Sequence, residues 1–590
     1  MKIIILLLII IHSVTTTGQD NDSVVMAAGG SLKTCTTLST ANCSDTVELH
    51  KDSSYKTAET YLVTDQALAD IIASEYWRSV GEVQLKQLQA LLQRFKRNHP
   101  APLKRSVFID RFRNLTIAQA DESVTGEQYY KSLTDHDWYM LLDYLQVPQF
   151  LDGQRIGEQV FLDHSKDAAT ATIFREFVAM AGRVSNEAGQ LPMILVMTSS
   201  ARDPYDAVDF YVQVFTQAGA TVKWLPLDQA MQVALDKQDC DNLSAYREAL
   251  SGAVRRDIVF PDLYQLQQHY CRAPDKLLQL IEQADGIFIN GGDQSLTRAT
   301  LMPDGDSQFM ALIRDRVGKG ELVIGGTSAG AAVQSGQRLD DADIPMISSG
   351  QSYAGVVHGV FASAPPAEGC SKNDSCNGIP DNAVTYNKRG GLGLINTGIV
   401  DTHFSERGRQ LRLMKLAATT QSSIAVGVDE TTAVTIAEDS NEISYRVVGK
   451  NGAWFFLNSV VKSANEAQTL SATAHYLTHG DRLIFNKESG EVITRLSGVE
   501  LSANNNAALT PAADILYRDS MRELSNQLAQ SERTEISTLT EQTNPQLNIR
   551  LSKGEDYRAL RVPANKVSQQ PVSYSGLDIS VVVCTGLCED

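Results

Sequence analysis

The sequence lacks several features that mark common classes of protein. After its N-terminal segment it has no apolar run that approaches the roughly 20 residues needed to cross a bilayer. No cysteine pair has the C-x2-C spacing of a zinc site, and no histidine lies at ligand distance from a cysteine pair. The Gly-Gly turn at residues 290–294 is not followed by the G-K-[ST] of a phosphate loop. We therefore expect no membrane span, no metal site and no cofactor.

The sequence is also poor in positive charge. It has 52 Lys and Arg residues against 70 Asp and Glu residues, a net charge of −18. This balance argues against binding of nucleic acid or of an anionic membrane through bulk electrostatics. The 590 residues are 43% hydrophobic and 21% charged, which excludes collagen, coiled coil and low-complexity disorder. A chain of this length can bury a large core, and one or two large α/β domains would account for it.

The first 18 residues have the pattern of a secretory signal peptide. Lys2 precedes the apolar residues 3–11, and small polar residues occupy 13–18. The eight cysteines agree with export, because they form four close pairs: Cys35/Cys43, Cys240/Cys271, Cys370/Cys376 and Cys584/Cys588. In an oxidising compartment an even number of cysteines predicts disulfides, and nearest-neighbour pairing is the hypothesis. We expect a secreted or periplasmic protein that begins near Gln19.

The remaining chain divides by its hydrophobic pattern. A catalytic domain is predicted over 19–500, with a helix-rich insertion at about 45–165 and an extension of unknown role at 501–590. In the insertion one helical stripe contains Leu85, Leu88, Leu91, Leu92 and Phe95. From about residue 167, predicted strands alternate with predicted helices. The strands are expected at 192–200, 220–227, 286–290 and 321–325. The helices are expected at 171–182, 204–218, 274–284 and 307–318. Short apolar strands between helices indicate a doubly wound α/β fold with a parallel sheet covered on both faces.

The strongest chemical signal is the stretch GTSAG at residues 326–330. It follows the apolar strand ELVIG directly and precedes a helix of small residues. G-x-S-x-G between a strand and a helix is typical of a nucleophile elbow, which raises the Ser328 hydroxyl above the sheet. The amide of Ala329 and the Gly291-Gly292 turn are candidates for an oxyanion hole, because glycines let backbone amides approach a substrate oxygen closely. The alternative is a tight turn with a capping serine.

A nucleophilic serine needs a base and an acid that orients the base. His403 is the best-placed histidine, since it follows an apolar strand predicted at 391–400, where α/β active sites open. Asp429 and Glu430 end another strand, and Asp401 is the alternative acid. The chain order Ser, His, acid disfavours an ordinary α/β-hydrolase, in which the acid precedes the histidine. Arg407, Arg409 and Arg412 lie beside His403, and arginine side chains of this kind recognise carboxylates.

Four motifs in this order resemble the cyanophycinase group of the S51 serine peptidase family. They are IFINGGDQ, GGTSAGAAV, DTHFSERGRQLRL and GVDETTA. The resemblance extends over roughly 22–34 and 167–485 and is split by the insertion. It implies a flavodoxin-like doubly wound sheet that resembles class I glutamine amidotransferases, with serine in place of the amidotransferase cysteine. Thr402 stands where the family usually has Gln.

The resemblance also implies roles for individual residues and a substrate. Ser328 would be the nucleophile, His403 the general base and Glu430 its partner. The oxyanion hole would be formed by Gly291, Gly292 and Ala329. The residues implied in substrate binding are Gln294, Asp401, Thr402, Arg407, Arg409 and Arg412. The expected substrate is cyanophycin, a poly-aspartate with arginine on each β-carboxyl, which the family cleaves to β-Asp-Arg dipeptides.

Two other functions remain open at this point. One is a peptidase of the same family that acts on α-aspartyl dipeptides or another peptide. The other is a secreted binding protein on a peptidase fold that no longer catalyses a reaction. A polymer cannot enter a cell, so an export signal favours a polymeric substrate. The expected partner is therefore a peptide polymer, with neither nucleic acid nor membrane, and a homodimer is left open.

Overall fold

The computed structural model describes residues 24–44, 54–119, 122–185, 189–336, 344–367, 370–372, 375–464, 467–501, 509–561 and 572–584. The predicted signal peptide and Cys588 lie outside these residues. Three of the expected disulfides are present, Cys35–Cys43, Cys240–Cys271 and Cys370–Cys376. No helix in the described ranges is long and apolar enough to cross a membrane.

A mixed sheet of nine strands forms the centre of the molecule. Its order is Val492–Arg495, Arg482–Asn486, Glu442–Gly449, Thr432–Glu438, Val25–Ala28, Val323–Thr327, Gly286–Ile289, Met193–Met197 and Thr221–Leu225. The last five strands are parallel to one another, and the first four run antiparallel to their neighbours. The prediction of parallel strands from short apolar runs is confirmed.

Helices cover the parallel strands on both faces. Alternate residues of a strand point to opposite faces, and Ile194 and Leu195 accordingly belong to two different buried clusters. One face packs against the helices Ala168–Val184 and Val208–Ala218. The other face packs against helices that include Gln229–Asp236, Pro274–Gln283 and Gln308–Gly318. Further helices of this region are Leu243–Ser251, Arg256–Val259, Pro261–Cys271, Gln294–Leu301, Ala329–Ala332 and Ser352–His358.

A second sheet of eight strands lies beside the first and includes the end of the chain. Its order is Gly398–Thr402, Ile424–Val428, Gly452–Ala464, Ala467–Thr478, Val572–Val583, Gln546–Arg561 and Val499–Glu500, with Glu535–Thr543 paired to Gln546–Arg561. The strand expected at 391–400 is thus shorter and starts later. The helices Gln410–Thr420 and Ser520–Gln530 pack on this sheet. Since C-terminal strands pair directly with Ala467–Thr478, the extension is continuous with the sheet.

The insertion forms a helical cluster with its own apolar core. Its helices are Asp65–Ala73, Glu75–Val80, Glu82–Asn98, Arg105–Arg113, Gly126–Ser132 and Asp135–Leu145. In the predicted stripe Leu88, Leu91, Leu92 and Phe95 are buried, and Leu85 packs against them. Short strand pairs join the helices: Thr60–Tyr61 with Leu103–Lys104, Thr116–Gln119 with Glu122–Thr125, and Phe150–Leu151 with Gln154–Arg155. A separate three-stranded sheet contains Met346–Ser349, Val384–Asn387 and Val360–Phe361.

Candidate active site

Ser328 lies in a strained turn at the carboxyl end of the strand Val323–Thr327. Its backbone has φ 54° and ψ −116°, a conformation that non-glycine residues rarely adopt. The turn is compact, because a Cβ on Gly326 would lie 2.2 Å from the carbonyl oxygen of Gly330. Glycine at position 326 therefore permits the close approach of strand and helix that exposes the serine hydroxyl.

His403 reaches Ser328 from the second sheet. It follows the strand Gly398–Thr402, and its amide donates a hydrogen bond of 2.7 Å to the carbonyl of Gly29. The imidazole is largely buried, and its Nε2 lies 2.8 Å from Ser328 Oγ. The two groups are thus brought together by the packing of one sheet against the other.

Glu430 lies on the other side of the imidazole. Its Oε1 is 2.8 Å from His403 Nδ1. A carboxylate only accepts hydrogen bonds, so Nδ1 carries the proton and Nε2 is free to accept one from Ser328. The hydrogen bond from His403, assisted by one from Ser31, lowers the pKa of Glu430 to about 2. The carboxylate is therefore ionised at neutral pH.

The other candidate acids lie elsewhere. Asp429 is fully buried and accepts hydrogen bonds from the Ser405 amide and the Tyr476 hydroxyl, at 2.9 Å each. Asp401 is also fully buried and accepts a two-point contact of 2.7 Å per bond from Arg412. Neither carboxylate has a hydrogen bond to His403. Glu430 is the acid that the fold places against the histidine.

Backbone amides surround the serine. Ala329 begins the helix Ala329–Ala332, so its N–H has no acceptor within that helix. Gly291 lies directly against Ser328, since a Cβ on it would be 3.3 Å from Ser328 Cβ. Gly292 has φ +145° and packs on the carbonyl of Ser200. Ala329 and Gly291 therefore lie next to the Ser328 side chain.

A cavity of about 410 Å³ opens at Ser328 and His403. Of the residues implied in substrate binding, Arg407 lines this cavity. Phe174, Phe210 and Tyr211 supply aromatic rings to its wall. The cavity thus offers one cation and an apolar surface next to the serine.

Four of the remaining residues, Asp401, Thr402, Arg409 and Arg412, contact one another instead. Arg412 is buried against Asp401, and Arg409 contacts both Asp401 and the carbonyl of Thr402. Gln294 donates to the carbonyl of Ile347 at 2.7 Å. Burial, with the nearby charge of Arg412, lowers the pKa of Arg409 to about 9. This differs from the expectation that Arg409 and Arg412 face a substrate, because both contact the buried carboxylate of Asp401 inside the protein.

Comparison with known proteins identifies the region that contains these groups. Residues 265–444, which include Ser328, His403 and Glu430, match the model of peptidase family S51. The cyanophycinase of Geminocystis herdmanii is 28% identical over 212 residues, 35% of this chain and 64% of the relative. The cyanophycinase of Trichormus variabilis is 30% identical over 210 residues, 34% of this chain and 57% of the relative.

Residues 265–444 thus resemble peptidase family S51, and the relatives that the chain matches are cyanophycinases. The resemblance recognised from the four motifs is confirmed. The chain spans less than two thirds of the length of these two curated relatives. A crystal structure of a peptidase from an acI-B1 Actinobacterium also aligns, with a TM-score of 0.29 and 16% identity over 55% of this chain and 91% of that chain.

Several residues outside the S51 segment support the site, and sequence reasoning did not find them. Arg522, on the C-terminal helix Ser520–Gln530, lies 2.7 Å from Asp429 and 3.2 Å from Glu406. Glu406 in turn accepts a hydrogen bond of 3.0 Å from the amide of Glu430. Asn451 donates to the carbonyl of Glu430 at 2.9 Å. The extension is therefore linked to the acid that contacts His403.

Gly30 also supports the position of His403, and this role can be tested by mutation. Its φ is +104°, and an added Cβ would lie 2.4 Å from His403 Cε1. We expect Gly30→Ala to displace the imidazole and to lower kcat by about 10²-fold, the usual effect of misplacing a catalytic group by an ångström. Gly153→Ala is the matched control, because Gly153 also has a positive φ, of +79°, but open space around it. Equal kcat for both variants and the parent would contradict this role.

Among the described residues there is no group of three or more His, Cys, Asp or Glu side chains placed to hold a metal ion. The arrangement Ser–His–Glu can instead remove a proton from the serine and return it to a leaving group.

Proposed function

We propose that this protein is a serine peptidase that hydrolyses cyanophycin to β-Asp-Arg dipeptides. The observation that carries the proposal is the continuous hydrogen-bonded chain from Ser328 through His403 to Glu430. A nucleophile, a base and an orienting acid in this geometry are what acyl transfer through serine requires. The S51 match and the cyanophycinase relatives support the same class of reaction.

The reaction follows from the positions of the three groups. Ser328 Oγ attacks the scissile carbonyl carbon while His403 Nε2 takes the hydroxyl proton. The oxyanion is stabilised by the amide of Ala329 together with the Gly291–Gly292 turn. His403 then gives the proton to the leaving amine, which departs as the C–N bond breaks. Water hydrolyses the acyl ester by the same proton transfers, and Glu430 stabilises the transient imidazolium.

Two further proposals concern the fold family of the protein and the compartment in which it works. We propose a flavodoxin-like core related to class I glutamine amidotransferases, since five parallel strands with helices on both faces carry the nucleophile at a carboxyl strand end. Secretion or periplasmic export is proposed from the N-terminal pattern, and the three disulfides are compatible with it. Arg407 at the cavity would attract a carboxylate of the polymer.

An assay on matched substrates tests the proposal. The purified protein is incubated with insoluble cyanophycin, poly-aspartate, casein and Asp-X dipeptides, and the products are identified by mass spectrometry. We expect β-Asp-Arg from cyanophycin and little product from the other substrates. Cleavage of Asp-X dipeptides alone would establish the alternative substrate, and no cleavage of any substrate would overturn the proposed activity.

A further inference from the structure

A second cavity, of about 400 Å³, adjoins the cavity of the nucleophile. The two share Tyr211 and Gly291 as lining residues, and Gly291 is the residue that lies against Ser328. This second cavity is formed by two parts of the chain. The insertion contributes Glu59, Tyr61, Arg105 and Tyr139, and the α/β region contributes residues that include Arg202, Asp206 and Arg256.

One side of the cavity carries a pair of acids. Glu59 accepts a hydrogen bond of 2.7 Å from the Tyr61 hydroxyl and lies 3.5 Å from Lys56 Nζ. Asp206 lies close to Glu59, is accessible from the cavity and forms no ion pair with a basic side chain in the described ranges. The surrounding protein and the charges of Glu59 and Asp203 raise the pKa of Asp206 to about 7, against opposing effects of Lys56 and Arg256. An acid in this state is stabilised by an incoming cation.

Another part of the wall carries guanidinium groups. Arg105 and Arg202 both lie over the ring of Tyr139, at 5.3 and 5.6 Å from its centroid. Arg202 is paired with Asp143, whereas Arg105 has no ion pair among the described residues. Arg256 is only 3% exposed, and its Nη2 has no hydrogen-bond acceptor in the described structure. The carboxylate nearest to this Nη2 is Asp143, at 3.5 Å, whereas Nη1 is paired with Asp203 at 2.7 Å. A guanidinium without an ion pair, as Arg105 has among the described residues, favours a ligand that brings an anionic acceptor.

We propose that this cavity is a specificity subsite for a substrate unit that carries both a guanidinium and a free carboxylate. The acid pair Glu59 and Asp206 would hold the guanidinium, and Arg105 would hold the carboxylate. An isopeptide-linked arginine has both groups, and a cavity of this volume is in the usual range for a small ligand. The proposal rests on the proposed function for the identity of that unit. It assigns the insertion a role in choosing which residue is placed beside Ser328.

Measurements of ligand binding at equilibrium test the subsite separately from the proposed peptidase activity. Calorimetric titration of Ser328→Ala with the β-Asp-Arg dipeptide and with L-arginine measures recognition without turnover. We expect Asp206→Asn, Glu59→Gln and Arg105→Ala, each in the Ser328→Ala background, to weaken dipeptide binding at least tenfold. Glu127→Gln is the control, because Glu127 pairs with Arg113 on the surface of the same insertion. It should bind as the parent does.

Each result has a distinct meaning. Absence of binding to both probes, or unchanged affinity in Asp206→Asn and Arg105→Ala, would overturn the subsite while leaving cyanophycin cleavage untouched. If cyanophycin is not cleaved, but the dipeptide binds and the variants weaken its binding, the subsite is supported and the proposed reaction is wrong. Three variants on two sides of the cavity keep the test usable if one of them does not fold.

Thermal stability gives a readout that does not need a ligand. In the unfolded chain Asp206 ionises near pH 4, whereas in the folded protein it ionises near pH 7. The unfolded state therefore binds fewer protons between these values, and this carboxyl makes folding less favourable as pH rises from 4 to 7. We expect Asp206→Asn to raise Tm relative to the parent at pH 8 and to have little effect at pH 4. If the difference in Tm between Asp206→Asn and the parent does not grow with pH, the raised pKa of Asp206 beside Glu59 would be contradicted.

Discussion

Replacement of Ser328 by alanine should abolish turnover and leave binding of the polymer intact. The variant removes only the hydroxyl oxygen, which lies 2.8 Å from His403 Nε2, so the cavity keeps its shape. Loss of the nucleophile in a serine peptidase costs roughly 10⁴- to 10⁶-fold in kcat, because the remaining groups act as a unit with it. The rate of dipeptide release from cyanophycin measures the loss, and sedimentation with the insoluble polymer measures binding.

Ser489→Ala is the matched control for this prediction. Ser489 is exposed in a turn, where its hydroxyl contacts Asn486. It should retain parental activity and binding. A Ser328→Ala enzyme with near-parental turnover would show that another group attacks the substrate, and the Ser–His–Glu mechanism would be wrong.

Arg522→Ala should lower both stability and kcat, although Arg522 belongs to the C-terminal extension. Asp429 has a side chain with no exposed surface, and Arg522 is its cationic partner at 2.7 Å. Removing one partner of a buried ion pair typically costs about 3–5 kcal/mol. Glu406 would also lose Arg522, and Glu406 accepts the amide hydrogen bond of Glu430. We expect Glu430 to shift and kcat to fall by about 10- to 100-fold, with KM little changed.

If Arg522 only stabilised the fold, its replacement would not lower kcat while leaving KM little changed. Arg522→Lys keeps a positive charge but loses the planar fork that contacts Asp429, Glu406 and Asp519. It should recover more of the lost Tm than of the lost kcat. Arg550→Ala is the control on the same extension, since its pair with Glu535 is half-exposed and such pairs contribute about 0–1 kcal/mol. A destabilised Arg522→Ala enzyme with parental kcat would mean that the extension only stabilises the fold.

Local sequence signals were sufficient for features that depend on neighbouring residues. Alternation of short apolar runs with amphipathic helices predicted the parallel strands, because each strand is buried on both faces and each helix on one. The G-x-S-x-G turn predicted where Ser328 lies, since its geometry depends on five adjacent residues. Nearest-neighbour pairing predicted three disulfides, of which Cys35–Cys43 and Cys370–Cys376 close short loops, whereas Cys240–Cys271 joins residues 31 positions apart.

Contacts between residues that are far apart in the chain could not be predicted from the sequence. Asp401 and Arg412 were expected to face a substrate, but the fold buries both and satisfies each with the other. The strand before His403 proved to belong to a second sheet, completed by residues up to Val583. No local pattern marks Gly30 as the residue that makes room for the imidazole, because that requirement comes from a side chain 373 positions away in sequence (403 − 30).

The sequence by itself determined the class of fold, the position of the turn that holds Ser328, and the resemblance to peptidase family S51. These follow from periodicity and from contiguous motifs, in which the interacting atoms are a few residues apart. Only the tertiary structure decided that Arg522 contacts Asp429 and Glu406 behind Glu430, and that the insertion lines a cavity at Gly291. Each of these depends on burial and on contacts between separate elements, whose energies arise only when the sheets and the insertion pack together.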